Sequence, residues 1–241
     1  MIIVAGDFHG NFTYVNQLLN SNNKISMILQ CGDFGWWPRF HGKTIVDNSG
    51  RIVRWDNFGL KNHNKKIFWC PGNHEDWESL KDLENNEVHP NVFYMKRGSI
   101  LTLEDGRKVL FMGGGLSIDR KFRTERGADF GWFWEETISQ KDIEELPDEK
   151  IDIIISHTAP KEFKLKDYHD DAWYPTDPSR KALDYLLEKY KPRLWYFGHM
   201  HKFQTGRRNN TEWIGLSAIG FGDRWWIPLK EKEYDELNSS G

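Results

Sequence analysis

Asp7-Phe8-His9, Gly32-Asp33, Gly72-Asn73-His74-Glu75, Ser156-His157 and Gly198-His199-Met200-His201 gather carboxylate, carboxamide and imidazole groups into five short blocks. Those groups suit hard or borderline divalent metals such as manganese, iron and zinc. Five of the nine histidines fall inside the blocks, a clustering that a metal site demands. Asp7 and His9 are one residue apart, as are His199 and His201, so in an extended turn both members of each pair face one side. The other histidines, His41, His63, His89 and His169, read as surface or packing residues.

Each block follows an apolar run that reads as a strand: Ile2–Ala5, Met27–Leu29, Ile67–Trp69, Ile151–Ile155 and Leu194–Phe197. Donors placed just past the carboxyl ends of buried strands converge on one rim of a sheet, where open α/β folds put their active sites. Between these strands the spacing predicts helices over Phe12–Asn20, Asp76–Glu84, Thr137–Leu146 and Ser179–Tyr190, the last stopped by Pro192. Hairpins are expected around Asp47-Asn48-Ser49-Gly50, Asp105-Gly106 and Asn209-Asn210. No repeat or linker divides the 241 residues, so the reading is one domain over 1–241, with an inserted hairpin at about 36–63 and a C-terminal extension at about 219–241. Strands alternating with helices, plus late hairpins, predict two sheets packed face to face between helical layers.

Formal net charge is −3 with no long run of one sign, which gives no electrostatic support for nucleic-acid or membrane-surface binding. No apolar run approaches the ~20 residues that span a bilayer. Cys31 and Cys70 each end a predicted strand and read as small buried apolar residues. Two lone thiols without a signal peptide suggest a reducing cytoplasm.

The five blocks, in this order over about residues 2–201, resemble the calcineurin-like metallophosphoesterase superfamily. The resemblance implies a four-layer α/β/β/α sandwich of two mixed sheets and a binuclear centre. It places Asp7, His9, Asp33 and His201 on one metal, and Asp33, Asn73, His157 and His199 on the second, with Asp33 bridging. Manganese is the expected ion, with iron, zinc or nickel as alternatives. Charge counting agrees: two divalent cations outweigh two aspartates, and a neutral Asn and four neutral His leave the site cationic for a hydroxide and a phosphate. Two metals ~3.5–4 Å apart clamp the attacking and leaving oxygens of an in-line displacement. The family places the histidine at His74 beside the leaving-group oxygen, as general acid or charge stabiliser. Asn73 is expected to face the substrate as well.

Protein phosphatases of the superfamily carry Gly-Asp-x-x-Asp-Arg-Gly at the second block, where this chain has Trp36 and Trp37 in place of the Asp-Arg pair. The arginine's bidentate grip on phosphate and the usual carboxylate partner of His74 are therefore missing. Arg120, Arg123 and Arg126, in the segment from Gly113 to Glu136, are candidates for a replacement grip; a solvated basic loop is the competing reading. Trp132, Trp134, Trp225 and Trp226 are candidates for stacking on a base or for packing. The sequence thus points to a two-metal phosphoesterase using a metal-bridging hydroxide on a small nucleotide phosphodiester. The alternatives are a phosphomonoesterase or phosphoprotein phosphatase, a nuclease, and a metal-dead protein-binding scaffold; the filled ligand positions speak against the last. Neither a membrane nor stable nucleic-acid binding is expected among its partners.

Overall fold

The structure is a computed structural model of the chain that describes residues 1–40, 43–46, 52–55, 59–125, 131–166 and 177–232. In chain order its strands are β1 (Ile2–Ala5), β2 (Met27–Gln30), β3 (Lys43–Val46), β4 (Ile52–Trp55), β5 (Lys66–Trp69), β6 (Glu87–His89), β7 (Val92–Tyr94), β8 (Ile100–Thr102), β9 (Lys108–Met112), β10 (Ile153–Ser156), β11 (Leu194–Phe197), β12 (Gln204–Arg208), β13 (Thr211–Gly215) and β14 (Trp226–Pro228). The helices are α1 (Phe12–Ser21), α2 (Trp77–Lys81), α3 (Arg120–Glu125), α4 (Gln140–Glu144) and α5 (Pro178–Tyr190).

Two six-stranded mixed sheets carry the fold, ordered β14-β1-β2-β5-β7-β6 and β12-β13-β11-β10-β9-β8. In each, four central strands run parallel and both edge strands are antiparallel. Alternation along a strand sends successive side chains to opposite faces, which sorts the core into three interfaces. Ile3, Ile28 and Trp69 pack under α1 and α2 with Val15, Leu19 and Trp77. Val4, Leu29 and Cys70 meet Phe111, Ile155 and Tyr196 between the sheets. Ile154, Trp195 and Trp213 pack under α5 with Leu183, Leu186 and Leu187. This is the expected four-layer α/β/β/α sandwich. Because β10 is covered on both faces, its residues are all buried, as its unbroken apolar run requires.

Local chemistry sets the element ends. Asp177 caps α5 by accepting from Ser179 N at 2.9 Å, Pro178 opens the first turn, and Lys191 in the left-handed region ends the helix before Pro192. The helix expected over Thr137–Leu146 is only α4, because Ser139 and Asp142 form a capping box that starts it at Gln140. The Asp105-Gly106 and Asn209-Asn210 hairpins form as β8–β9 and β12–β13. Within 36–63, β3 pairs antiparallel with β4, whereas the Asp47–Gly50 turn lies outside the described residues, as do His41 and His169. Three short strands had no sequence signal: β6, β7 and β14, the last an antiparallel edge on β1.

Candidate metal centre

Parallel strands point their carboxyl ends the same way, so the loops after β1, β2, β5, β10 and β11 bring all five blocks together. Four donors form the first half: one ligand atom each from Asp7, His9, Asp33 and His201 lies within 4.8 Å of the others. His201 Nε2 is 3.0 Å from Asp7 Oδ2 and 3.0 Å from His9 Nε2. The second half gathers around His157, whose Nε2 lies 2.9 Å from Asn73 Oδ1 and 3.1 Å from His199 Nδ1. Asp33 reaches both halves, with Oδ2 3.7 Å from His9 Nε2 and Oδ1 3.4 Å from His157 Nε2.

The loops that hold these groups are backbone-strained. His9, Asp33, His199 and His201 all have positive φ, from 47° to 64°, a region that L residues occupy at a cost and that clusters at functional sites. Two block glycines make room for the carboxylates: a methyl group at Gly72 would overlap Asp33, and one at Gly198 would overlap Asp7. The Asp7 carboxylate also accepts from His199 N at 3.0 and 3.1 Å, tying the first block to the last.

The donor arrangement fits cations. His157 Nδ1 lies 2.8 Å from the Cys31 carbonyl, which has only lone pairs to offer, so the proton sits on Nδ1. In the neutral ring, the form that ligates metals, Nε2 is then an acceptor facing the Asn73 oxygen, a second acceptor. A positive ion between such lone pairs resolves their repulsion, and a carbonyl holding the far nitrogen is how ligating histidines are oriented. Asp33 is fully buried, which alone would raise its pKa, but His157, His74, His9 and the His74 N–H outweigh burial and hold it well below the usual carboxylate range. Burial, then His157, pushes His199 well below 6.5. His201 is raised because its bond to Asp7 outweighs partial burial.

His74 sits beside His9, ring centroids 5.5 Å apart, and its main chain is pinned at both ends. Its N–H donates to Asp33 Oδ1 at 2.8 Å, and its carbonyl accepts from Trp37 Nε1 at 3.0 Å. Burial lowers its pKa, opposed by Asp33. Thus Trp37, at the place of the family arginine, holds the loop, while Trp36 is buried against Trp69. Sequence reading gave Glu75 no role; it is fully buried and accepts from Gly35 N at 2.7 Å and Gly72 N at 2.6 Å, joining the second and third blocks. Burial and Asp33 push its carboxyl up to about 8 against those N–H groups.

Among the three arginines expected to contact phosphate, Arg123 lies in a buried polar network. Its guanidinium is buried and engaged by Glu136, Ser117 and the Gly131 and Asn73 carbonyls. Burial pushes the Glu136 carboxyl up to about 7, with Arg123 and Ser117 opposing. Arg120 is exposed, its guanidinium 3.7 Å from the Trp132 ring centroid and 4.9 Å from that of Trp134. Arg126 lies outside the described residues. Trp225 packs edge-on to Phe8, and Trp226 lies in β14 against the same core, whereas Trp134 is 72% exposed. Ser117 and Glu136 carried no signal, because a Ser after a glycine run and a Glu-Glu pair look the same when solvated.

A family model described as calcineurin-like phosphoesterase matches residues 1–203. The lariat debranching enzyme of Schizosaccharomyces pombe (strain 972 / ATCC 24843) is 25% identical over 231 residues, covering 87% of this chain and 50% of the relative. The chain therefore spans about half the length of that curated relative. One crystal structure aligns over 90% of both chains with a TM-score of 0.50 and 14% identity, a likeness of fold alone. Phosphopantetheinyl hydrolase (PptH) from Mycobacterium tuberculosis aligns over 100% of this chain and 98% of its own, with a TM-score of 0.47 and 12% identity.

Proposed function

Because the chain belongs to the calcineurin-like phosphoesterase family, which uses a binuclear divalent metal centre, we propose that it is a two-metal phosphoesterase acting on a small nucleotide phosphodiester. The observation that carries this reading is the position of Asp33, with one carboxylate oxygen toward each cluster of donors. Asp7, His9, Asp33 and His201 would hold one ion; Asp33, Asn73, His157 and His199 would hold the other. Manganese is the ion we assign, since carboxylate, carboxamide and imidazole donors suit it. When bound, the ions supply Lewis-acid stabilisation of phosphoryl charge and activate water for in-line attack.

The chain's own residues supply the rest. Pinned at both peptide groups, His74 can present its ring to the leaving oxygen and give it a proton. Its burial favours the neutral ring, so a proton taken up there is readily released. The exposed face of Trp134 offers a stacking surface for a base, with Arg120 beside it as the remaining described arginine for a phosphate oxygen. Trp36 and Trp37, in place of an Asp-Arg pair, favour a diester over a phosphoprotein. We take residues 1–241 as one domain carrying the insertion at 36–63 and the extension from 219. The free, buried Cys31 and Cys70 are in keeping with a cytoplasmic protein.

A second reading, an RNA substrate, is favoured by one observation: the curated relative is a lariat debranching enzyme. Activity profiling of Mn²⁺-loaded protein on cyclic and linear nucleotides, branched and linear RNA, mononucleotides and phosphopeptides separates the two. The highest kcat/KM is expected for a small nucleotide diester. Preference for branched RNA would install the second reading, and preference for phosphopeptides would overturn both.

A further inference from the structure

A carboxamide offers an oxygen and an amino group of nearly the same shape, so a cation site that needs the oxygen requires something to set which end faces in. Asn73 Nδ2 donates to Ser117 Oγ at 3.0 Å while Oδ1 faces His157. A serine hydroxyl has one proton and two lone pairs, and here all three are committed. Glu136 Oε2 takes the proton in a short hydrogen bond, and Arg123 Nη1 donates to Oγ at 2.6 Å. Only an acceptor lone pair remains for Asn73, so only the amino end of the carboxamide can face Ser117. Arg123 also fixes the far end: its Nη2 lies 2.7 Å from Glu136 Oε1, and a guanidinium can only donate. A further bond from Arg123 Nη1, at 3.1 Å, holds the Asn73 main-chain carbonyl.

Every member is buried: Asn73 is 3% exposed, Ser117 4%, Arg123 5% and Glu136 0%. A buried ion pair is weak support for stability, since apolar residues of similar volume often do as well. Direction is what the pair adds here. We infer that Arg123, Glu136 and Ser117 are positioning residues that lock the Asn73 carboxamide with its oxygen toward the metal centre, and so set the affinity of the half built from Asn73, His157 and His199. The inference rests on the two-metal reading above. It also gives the segment from Gly113 to Glu136 a task other than gripping phosphate.

Calorimetric titration of metal-free protein with Mn²⁺ at about pH 8, above the Glu136 pKa, tests it without any substrate. Wild type should show two binding classes, and Asn73→Ala should weaken one. Ser117→Ala should weaken that same class by ~10–100-fold, the usual effect of losing a group that orients a ligand, and leave the other class within about twofold. Ser117→Thr, which keeps a hydroxyl, should retain the wild-type pattern, and adding Ser117→Ala to Asn73→Ala should cause no further loss. Should Ser117→Ala fail to fold, Glu136→Gln takes its place. Its amide can hand Ser117 a proton and free the carboxamide to turn, so the same class should weaken. Wild-type affinity in Ser117→Ala or Glu136→Gln, or losses that add to those of Asn73→Ala, would overturn the positioning role alone. An Asn73→Ala protein that keeps both classes would overturn the ligand assignment itself.

Discussion

The half of the candidate centre that holds His9 and His201 and the half that holds Asn73 and His157 are built differently. His9 and His201 side chains are 24% and 31% exposed, and their placement comes from left-handed backbone at both residues. His157 is fully buried and Asn73 nearly so, and their placement comes from hydrogen bonds to Cys31 and Ser117. Water can satisfy polar groups in the open half. In the closed half an unsatisfied donor costs ~1–3 kcal/mol, a cost that the bonds behind Asn73 and His157 avoid. Loop shape therefore governs His9 and His201, and His199 as well, whereas polar partners govern Asn73 and His157. Asp33 belongs to both.

The largest effect should follow from removing that shared group. Asp33→Ala should abolish nearly all hydrolysis and lower metal content in both halves, as read by elemental analysis after reconstitution. Near-normal activity in that variant would break the two-half description. Next in size is His74→Asn, which should leave metal content unchanged and slow hydrolysis by ~10²–10⁴-fold for poor leaving groups. The loss should shrink for p-nitrophenyl esters, and an equal loss for both would reassign His74 to charge stabilisation. Smaller again is Trp134→Ala. Stacking on one base is worth ~1–3 kcal/mol, so KM for a nucleotide diester should rise by about tenfold with kcat little changed. If KM does not move, Trp134 does not hold the base.

The smallest effect separates the halves by pH in metal-free protein. The His201 pKa is raised, mainly by Asp7 against partial burial, so its contribution to stability is full below about 6.5 and is lost as pH rises through the folded value. The His199 pKa is lowered by burial and by His157, so its contribution is full above about 6.5 and is lost as pH falls. Urea midpoints across pH 5–8 should show His201→Asn flattening the alkaline side of the profile and His199→Asn flattening the acid side. The same sign for both variants would remove the electrostatic distinction between the halves.

Much of this was legible beforehand because it is local. Donor types, a one-residue spacing and an apolar run before each block are properties of neighbouring residues, and they gave most strands of the two sheets, most helices and the pool of candidate donors. The short strands β6, β7 and β14 were not legible, since three residues carry too little pattern, and β7 and β14 join the sheet through β5 and β1, far along the chain.

The tryptophans and arginines show where local reading stops. Trp36, Trp134 and Trp225 are one residue type with one set of propensities, yet one is core, one is surface and one lies against Phe8. Arg120 and Arg123 are three residues apart on one short helix, yet Arg120 is exposed and Arg123 is buried against Ser117 and Glu136. By itself the sequence determined that Asp, Asn and His would follow successive strands, and so the class of chemistry. Only the tertiary structure decided that Arg123, Glu136 and Ser117 meet in a buried network beside Asn73. A charge's surroundings are set by segments that meet in space, and no spacing along the chain records that meeting.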